Sequence, residues 1–207
     1  MKGKILLFDI DETIFDPKSF LDDFYNELTT NFKLKENDLN KIRNIYSETK
    51  TEIGYFNPTN FLDKVIETFP DISRTSLEKI FWNIDLFNKN VYKDASVIKD
   101  LGRIGDIGIF SKGEESFQKQ KISFLSDLIE TDDIHIFKNK IDKINEVLEI
   151  YQDLNTYFID NEPEVLESIR KINTEANLIL IDRKNEFENS DIIKIKDLLE
   201  LKSLIYD

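Results

Sequence analysis

Residues 5–13 have the sequence Ile-Leu-Leu-Phe-Asp-Ile-Asp-Glu-Thr, in which an apolar run leads directly into two aspartates. Leu, Ile and Phe without polar alternation are typical of a strand that is buried on both faces, as in a parallel sheet. Ligands bind at the carboxyl ends of such strands, which is where Asp9 and Asp11 lie. Aspartate also ends many strands simply by opening a turn, so motifs further along the chain must decide between the two interpretations.

The composition argues against several classes of protein. The chain of 207 residues carries a formal net charge of -13, from 28 Lys and Arg against 41 Asp and Glu, and it contains no cysteine. Such a chain repels a phosphate backbone or an anionic bilayer, so we expect neither nucleic acid nor a membrane as a partner. Without cysteine there are no disulfides and no thiolate ligands. No apolar stretch approaches the roughly 20 residues of a membrane-spanning helix, and we therefore predict a soluble, cytoplasmic protein.

Four segments with a helical period of apolar residues follow the first strand, and no strand pattern interrupts them. These predicted helices span residues 19–32, 36–51, 58–69 and 73–88. From residue 91 onward, predicted helices and short apolar runs alternate. The predicted helices span residues 95–103, 114–129, 142–151 and 162–172. Each helix precedes one predicted strand, and these strands span, in the same order, residues 107–110, 134–137, 157–159 and 178–181. Residues 192–201 are predicted to form a short strand and a helical turn.

This alternation of helices and strands predicts a parallel sheet with helices on both faces. We therefore predict an α/β fold with a Rossmann-like core, residues 1–15 and 93–207, and an inserted all-α cap, residues 16–92. The charge-rich segment 114–121 is expected to be an ordinary solvated helix face.

Polar residues also follow three later strands, at the edge where the ends of parallel strands meet. They are, in chain order, Ser111 with Lys112 and Gly113, then Lys138 and Lys140, and then Asp160 with Asn161. Each has a structural alternative, because serine and aspartate cap helices and lysines are commonly solvated. The ordered series of two acids, a hydroxyl, a lysine and an acid, each at a strand end, favours a functional site.

In this order of motifs the chain resembles the haloacid dehalogenase (HAD) superfamily of phosphohydrolases, and the resemblance covers nearly all of it. The four motifs of the family are Asp-x-Asp-x-Thr after an apolar strand, a strand ending in Ser or Thr, a Lys at the start of a helix, and a strand ending in an acid. They match, in that order, residues 9–13, Ser111 followed by Lys112 and Gly113, Lys140 with Lys138 as the alternative, and Asp160. The insertion occupies the place of the family's C1-type cap.

Two residues depart from the family pattern. Many members carry Gly where this chain has Glu12, and we expect Glu12 to narrow the entrance to the site or to contact the cap. Many members also carry a second acid beside or shortly after the fourth-motif Asp160, where this chain has Asn161, with Glu162 and Glu164 nearby. The surroundings of the metal therefore differ from the family pattern at Asn161.

The resemblance implies a Mg²⁺-dependent phosphatase that acts on a small phosphomonoester. Asp9 would attack phosphorus and form an aspartyl-phosphate, and Asp11 would protonate the leaving alcohol and later activate water. Asp9, the backbone carbonyl of Asp11 and Asp160 would bind Mg²⁺, which accepts oxygen ligands and retains waters. Ser111, with backbone N–H groups of the turn after it, would hold phosphate oxygens, and Lys140 would neutralise charge.

Asp11 also separates the branches of the family, because the resemblance implies that the dehalogenase members, which attack carbon, lack this second acid. The nearest alternative enzyme is a phosphoglucomutase-like relative that returns the phosphoryl group to its substrate. A receiver-type signalling module combines similar residues around Mg²⁺, but the long insertion after the first strand argues against it. A family member kept only for binding phosphate is a further, non-catalytic alternative.

The predicted substrate-binding residues are Ser111, Lys112 and Gly113 in the core and Tyr55 and Asn57 in the insertion. Residues 53–58 break two helical patterns and place two aromatic side chains and an amide in the break. We expect this loop to close over Asp9 and to contact the leaving group of the substrate. The structural alternative is that Tyr55 and Phe56 fold back into the core of the insertion.

Overall fold

The computed structural model describes residues 3–187 and 191–205, so residues 1–2, 188–190 and 206–207 of the predicted core lie outside it. Six described strands form one sheet: β1 Lys4–Phe8, β2 Asp106–Lys112, β3 Ile134–Phe137, β4 Asn155–Asp160, β5 Asn177–Ile181 and β6 Ile193–Ile195. Every neighbouring pair is parallel, in the order β3-β2-β1-β4-β5-β6. The strand order reverses at β1, and ligand crevices form at the carboxyl end of such a point. The predicted α/β, Rossmann-like fold is confirmed.

Both faces of the sheet are covered, which explains the apolar strands without alternation. The first face packs against α8 Ile144–Ile150 and α9 Pro163–Ile172. The second face packs against α6 Ile98–Leu101, α7 Glu115–Lys121 and α10 Leu201–Ile205. In β1, Ile5 and Leu7 belong to the first face, whereas Leu6 and Phe8 belong to the second. Burying each such side chain stabilises the fold by about 1.5–3 kcal/mol, so each of the four buried positions of β1 favours an apolar residue.

Five α-helices follow β1 within residues 16–92, which we call the helical insertion. These helices are α1 Pro17–Phe32, α2 Glu36–Ile53, α3 Pro58–Thr68, α4 Arg74–Phe81 and α5 Ile84–Lys89. The side chains of Asp16, Asn57 and Ser73 accept hydrogen bonds from the first turns of α1, α3 and α4. Such caps satisfy N–H groups that a helix leaves free, so local sequence signals set where these helices begin.

One helix predicted in the insertion is in fact two. The single helix predicted over residues 73–88 breaks at Asn83, whose side chain accepts a hydrogen bond from the backbone N–H of Asp85 and starts α5. The prediction was wrong because the apolar period continues through Asn83, a residue type that favours a cap over a helix interior.

Three helices predicted in the core are shorter than expected, because 3-10 turns replace part of each. The helix predicted over 114–129 ends at Lys121 and is followed by the 3-10 turn Ser123–Leu125. The 3-10 turns Lys93–Val97 and Ile141–Lys143 precede α6 and α8 in the same way. Over so few residues the two helix types bury nearly the same positions. The longest helix, α2, has 18 residues, and no helix in the described part of the chain has both the length and the apolar character needed to cross a membrane.

Phe117 of α7 joins the core to the helical insertion. Its ring centroid lies 5.7 Å from that of Phe20, 5.2 Å from that of Phe56 and 5.6 Å from that of Phe81, all buried residues of the insertion. Aromatic pairs in such arrangements add about 0.5–1.5 kcal/mol each beyond the burial of the rings. Phe56 therefore folds back into the aromatic core of the insertion, as the structural alternative predicted for it, whereas Tyr55 is only half-buried.

Candidate active site

Asp9 lies directly after β1 and is almost completely buried, with 5% of its surface exposed. Its backbone N–H donates to the carbonyl of Ile159 at 2.9 Å, which continues the hydrogen bonding between β1 and β4 by one residue. The sheet thus holds Asp9 at its carboxyl edge.

The turn after Asp9 contains a residue in an unusual conformation, Glu12, whose φ is +59°. For residues other than glycine this left-handed conformation costs about 1–2 kcal/mol, which gives a physical reason for the Gly that many HAD members carry there. Arg183 supports the turn, because its guanidinium donates to the carbonyls of Glu12 at 3.2 Å and Thr13 at 2.7 Å. The hydroxyl of Tyr92, the last residue of the helical insertion, donates to Glu12 Oε2 at 3.3 Å, so the expected contact of Glu12 with the insertion is present.

Residues from three separate motifs meet Asp9 in one hydrogen-bonded group. Ser111, on β2, donates its hydroxyl to Asp9 Oδ1 at 3.0 Å. The Lys140 ammonium donates to the same oxygen at 2.8 Å and to Oδ2 of Asp160, the last residue of β4, at 2.7 Å. All four side chains belong to residues that are at most 5% exposed. The sheet topology therefore assembles the four motifs into one buried cluster.

Lys140, and not Lys138, contacts the nucleophile candidate. Lys138 is exposed, and its ammonium lies 5.8 Å from the centre of the Tyr55 ring. Lys140 directly precedes the 3-10 turn Ile141–Lys143 and is 2% exposed. Of the two alternatives for the third motif, the structure brings Lys140 into the cluster.

The cluster carries more negative charge than its one ammonium balances. Burial raises the pKa of Asp9 to about 7, although the neighbouring Lys140 ammonium acts in the opposite direction. Burial also raises the pKa of Asp160, against the same ammonium. Burial by itself lowers the pKa of Lys140, but the two carboxylates outweigh burial and hold that pKa above its ordinary value. Two buried carboxylates thus share one cation.

Asp11 has two partners on α7 that the sequence pattern did not reveal. Lys121 donates to Asp11 Oδ1 at 2.6 Å and to Oδ2 at 2.9 Å, and Gln118 donates to Oδ2 at 3.1 Å. Lys121 is 3% exposed and Gln118 is 1% exposed, so the expectation of a solvated face over residues 114–121 was wrong for these two residues. The available signal is the spacing of Lys121 from Phe117, four residues apart and therefore on one helix face.

Gly113 has a structural role that differs from its predicted one. Its backbone N–H donates to the carbonyl of Phe137 at 2.9 Å, so the predicted contact of this N–H with phosphate is not available in this structure. At a φ of +154°, a Cβ on Gly113 would lie 2.8 Å from Gln118 Nε2. Gly113 therefore makes room for the side chain that contacts Asp11.

The cluster opens into a pocket of about 280 Å³ that is lined by the sheet edge and the helical insertion. The predicted residues that line the pocket are Asp9, Asp11, Lys112, Gly113, Lys140 and Tyr55. Polar lining residues that were not predicted as site residues include Tyr46, Lys50, Gln118 and Lys121. Tyr46 and Lys50 lie one turn apart on α2, and burial together with the charge of Asp11 raises the pKa of Tyr46. The volume is at the lower end of the range for small-molecule sites.

Three predicted residues do not line this pocket. Asn57 caps α3, with its Oδ1 accepting a hydrogen bond from the backbone N–H of Asn60 at 3.1 Å. Ser111 and Asp160 lie behind the wall of the pocket, where they contact the lining residues Asp9 and Lys140.

The oxygen donors at the sheet edge suit a metal that keeps part of its water. Within residues 3–187 and 191–205, no three His, Cys, Asp or Glu side chains are grouped to hold a metal ion. Mg²⁺ needs only one or two carboxylates, so Asp9 and Asp160 with the backbone carbonyl of Asp11 make a sufficient set. Asp9 and Asp160 share the single ammonium of Lys140, and a dication would balance the remaining negative charge. The residues present therefore fit Mg²⁺.

No family model matches this sequence, and no curated protein matches it either. Solved structures do match the fold. A protein from Burkholderia xenovorans LB400 described as a haloacid dehalogenase-like hydrolase has a TM-score of 0.78 and 20% sequence identity, over 99% of this chain and 97% of its own. YfnB from Bacillus subtilis, described as a HAD-hydrolase bound to magnesium, has a TM-score of 0.66 and 17% identity over 100% of both chains.

The L-2-haloacid dehalogenase of Xanthobacter autotrophicus, solved with chloropropionic acid covalently bound, has a TM-score of 0.64 and 12% identity over 100% of this chain and 99% of its own. The matches with these three proteins span the helical insertion as well as the sheet. The chain therefore has the fold of the haloacid dehalogenase-like hydrolases, as its motifs predicted. At these identities the likeness shows the fold alone, so the chemistry has to be argued from the site.

Proposed function

We propose that this protein is a Mg²⁺-dependent phosphatase that hydrolyses a small phosphorylated metabolite through an aspartyl-phosphate on Asp9. One observation carries the proposal: Asp9 and Asp11 line the same pocket, yet each is paired with a different buried lysine, Lys140 and Lys121. Two carboxylates in different environments can take different roles, one as nucleophile and one as proton donor. The Asp11 side chain is 38% exposed, so it can exchange protons with solvent.

The hydrogen bonds of Asp9 leave one carboxylate oxygen for attack. Ser111 and Lys140 both donate to Oδ1, whereas Oδ2 has no hydrogen-bond partner among the residues that the structure describes. In the first step Oδ2 bonds to phosphorus, the bond from phosphorus to the ester oxygen breaks, and Asp11 gives its proton to the departing alcohol. In the second step water attacks phosphorus, Asp11 takes a proton from that water, and the Asp9 carboxylate is released.

Positive charge near Asp9 supports both steps. The Lys140 ammonium, 2.8 Å from Asp9 Oδ1, favours the ionised nucleophile and lies where it can also attract phosphate oxygens. Asp9, Asp160 and the carbonyl of Asp11 would hold Mg²⁺, which would supply the charge that a phosphate dianion among aspartates requires. The net charge of -13 is then no obstacle, because the local cations determine the field in the pocket.

Hydrolysis of a haloacid is the second candidate, because structural neighbours include haloacid dehalogenases. Displacement of a halide from carbon needs no proton for the leaving group, so it gives Asp11 no task as a proton donor. An alcohol that leaves phosphorus does need one. The position of Asp11 in the pocket therefore favours phosphoryl chemistry.

A direct assay separates the two candidates. The purified protein should hydrolyse p-nitrophenyl phosphate in the presence of Mg²⁺ and lose this activity in excess chelator. The same preparation should release no chloride from 2-chloropropionate. Chloride release without phosphate release would contradict the proposal, and full phosphatase activity in excess chelator would contradict the metal requirement.

Asp11→Asn should slow hydrolysis most for substrates with poor leaving groups. An amide cannot donate the proton of a carboxyl group, and general acid catalysis contributes about 10²–10⁴-fold. We expect alkyl phosphates to lose about that factor in kcat/KM. For p-nitrophenyl phosphate, whose leaving group needs little protonation, the loss should be much smaller. Equal losses for the two substrates would count against Asp11 as the general acid.

We also propose that the helical insertion acts as a cap that determines which substrate enters. The proposal is supported by Tyr46, Lys50 and Tyr55, which belong to the insertion and line the same pocket as Asp9. The cytoplasmic location expected for a cysteine-free chain stays a prediction.

A pair of variants in the loop before α3 tests the cap. Tyr55 lines the pocket, so Tyr55→Ala should change the order in which a panel of phosphomonoesters is hydrolysed. Asn57 caps α3, so Asn57→Ala should lower the free energy of unfolding by about 1 kcal/mol without changing that order. Values of kcat/KM across the panel and urea unfolding of both variants provide the measurements. An unchanged order with Tyr55→Ala would show that substrate choice is determined elsewhere. A changed order with Asn57→Ala would show that Asn57 does more than cap α3.

A further inference from the structure

Lys121 is a buried cation that none of the four motifs contains, yet it contacts the proposed proton donor. We propose that Lys121 is a positioning residue for Asp11, holding its carboxyl group in the orientation required for proton transfer. This inference rests on the proposed phosphatase function and adds to it a residue on α7.

The contact between Lys121 and Asp11 fixes the orientation of the carboxyl group. The ammonium lies 2.6 Å from Oδ1 and 2.9 Å from Oδ2, so it binds both oxygens at once. Gln118 adds a third donor, 3.1 Å from Oδ2. Three hydrogen bonds from one helix leave the carboxyl group little freedom to rotate. Proton transfer requires such a fixed position, because a displacement of about 1 Å can cost about 10²-fold in rate.

The ammonium of Lys121 is itself held in place by aromatic rings. Its Nζ lies 4.3 Å from the ring centroid of Phe117 and 5.3 Å from that of Phe15. Ring faces attract a cation, most strongly where water is excluded, and Lys121 is 3% exposed. Lys121 can therefore transmit the rigidity of α7 to the more exposed side chain of Asp11.

A neighbouring lysine shows how an ordinary surface pair on this helix differs. Lys119 also lies on α7, but its side chain is 43% exposed and pairs with Glu115, four residues earlier on the same exposed surface. Such pairs contribute little to stability. Lys121 instead pairs with a residue 110 positions away in the sequence that lines the pocket. Lys119 is therefore a matched control for Lys121.

The test compares Lys121→Met with Lys119→Met. Methionine keeps most of the volume of lysine and packs well against aromatic rings, so it removes the charge without emptying the site. Lys121→Met should lower kcat/KM for an alkyl phosphate about 10²-fold, the cost of a misplaced group, and lower that for p-nitrophenyl phosphate much less. Combined with Asp11→Asn, it should cause no further loss beyond Asp11→Asn alone. Lys119→Met should leave kcat/KM unchanged for both substrates.

Several outcomes would overturn the inference. Equal losses for the two substrates, or losses that multiply with those of Asp11→Asn, would show that Lys121 acts on the phosphate or on the fold and not through Asp11. Urea unfolding supplies a readout besides activity. The substitution Asp11→Asn should shift the unfolding midpoint by one amount in the wild-type background and by a different amount in the Lys121→Met background. Equal shifts in the two backgrounds would contradict the pairing of Lys121 with Asp11. An inactive wild-type protein would overturn the proposed function and this role with it. An active wild-type protein together with a Lys121→Met variant of unchanged kcat/KM would overturn only the role of Lys121.

Discussion

Asp9→Asn should abolish the hydrolysis of every phosphomonoester while leaving the fold intact. Only a carboxylate can form the acyl phosphate, since an amide oxygen is too weak a nucleophile to displace an alcohol from phosphorus. The fold should survive because an amide oxygen can still accept the hydrogen bonds that Ser111 and Lys140 donate to Asp9 Oδ1. Lys140 also keeps its second partner, Asp160, at 2.7 Å.

Turnover of p-nitrophenyl phosphate tests the expected loss of hydrolysis, and the urea-unfolding midpoint tests the expected retention of the fold. The control is that the variant unfolds cooperatively at a midpoint close to that of wild type. Retention of more than a small fraction of wild-type activity would show that another group attacks phosphorus. Loss of cooperative unfolding would show that the Asp9 carboxylate is needed for folding, which its buried position in the cluster would then explain.

Lys140→Met should lower kcat/KM about a hundredfold or more, because it removes the cation that stabilises the ionised nucleophile and attracts the phosphate. The variant also leaves Asp9 and Asp160 buried without the ammonium that they share. Removing one partner of a buried ion pair is costly, so the unfolding midpoint should fall as well.

Lys138→Met is the matched control, since it makes the same change two residues earlier. Lys138 is exposed and its ammonium lies 5.8 Å from the centre of the Tyr55 ring. We therefore expect the control to leave kcat/KM for p-nitrophenyl phosphate and the unfolding midpoint nearly unchanged. If Lys138→Met is the damaging substitution, the assignment of the third motif to Lys140 is wrong.

The strand ends could be predicted from the sequence because the signal there is local. An apolar run that stops at a polar residue identifies both the strand and the edge of the sheet, as it does for Asp9 and Ser111. Parallel topology then requires these ends to lie together. The structure agrees, with Asp9, Ser111, Lys140 and Asp160 in one hydrogen-bonded cluster.

The partners of Asp11 and of the following turn could not be predicted, because their positions depend on residues distant in the chain. A lysine in a charge-rich helix is usually solvated, and only the folded chain brings Lys121 to Asp11, 110 residues earlier. Arg183 is similar, since it reaches the carbonyl of Thr13 across 170 residues. Whether a charged side chain is buried depends on its partner, and helical periodicity carries no information about partners that are distant in the sequence.

The packing of Phe117 limits how readily the helical insertion could be replaced by a different insertion. A fragment of residues 16–92 would lack one wall of its own aromatic cluster, because Phe20, Phe56 and Phe81 pack against a ring of the core. A core fused to a foreign insertion would expose that ring and uncover the Lys121 ammonium 4.3 Å from it. Recombination at the insertion boundaries would thus disturb the support of Asp11 along with substrate choice. New specificities should therefore arise by point substitutions in the insertion more readily than by replacement of the whole segment.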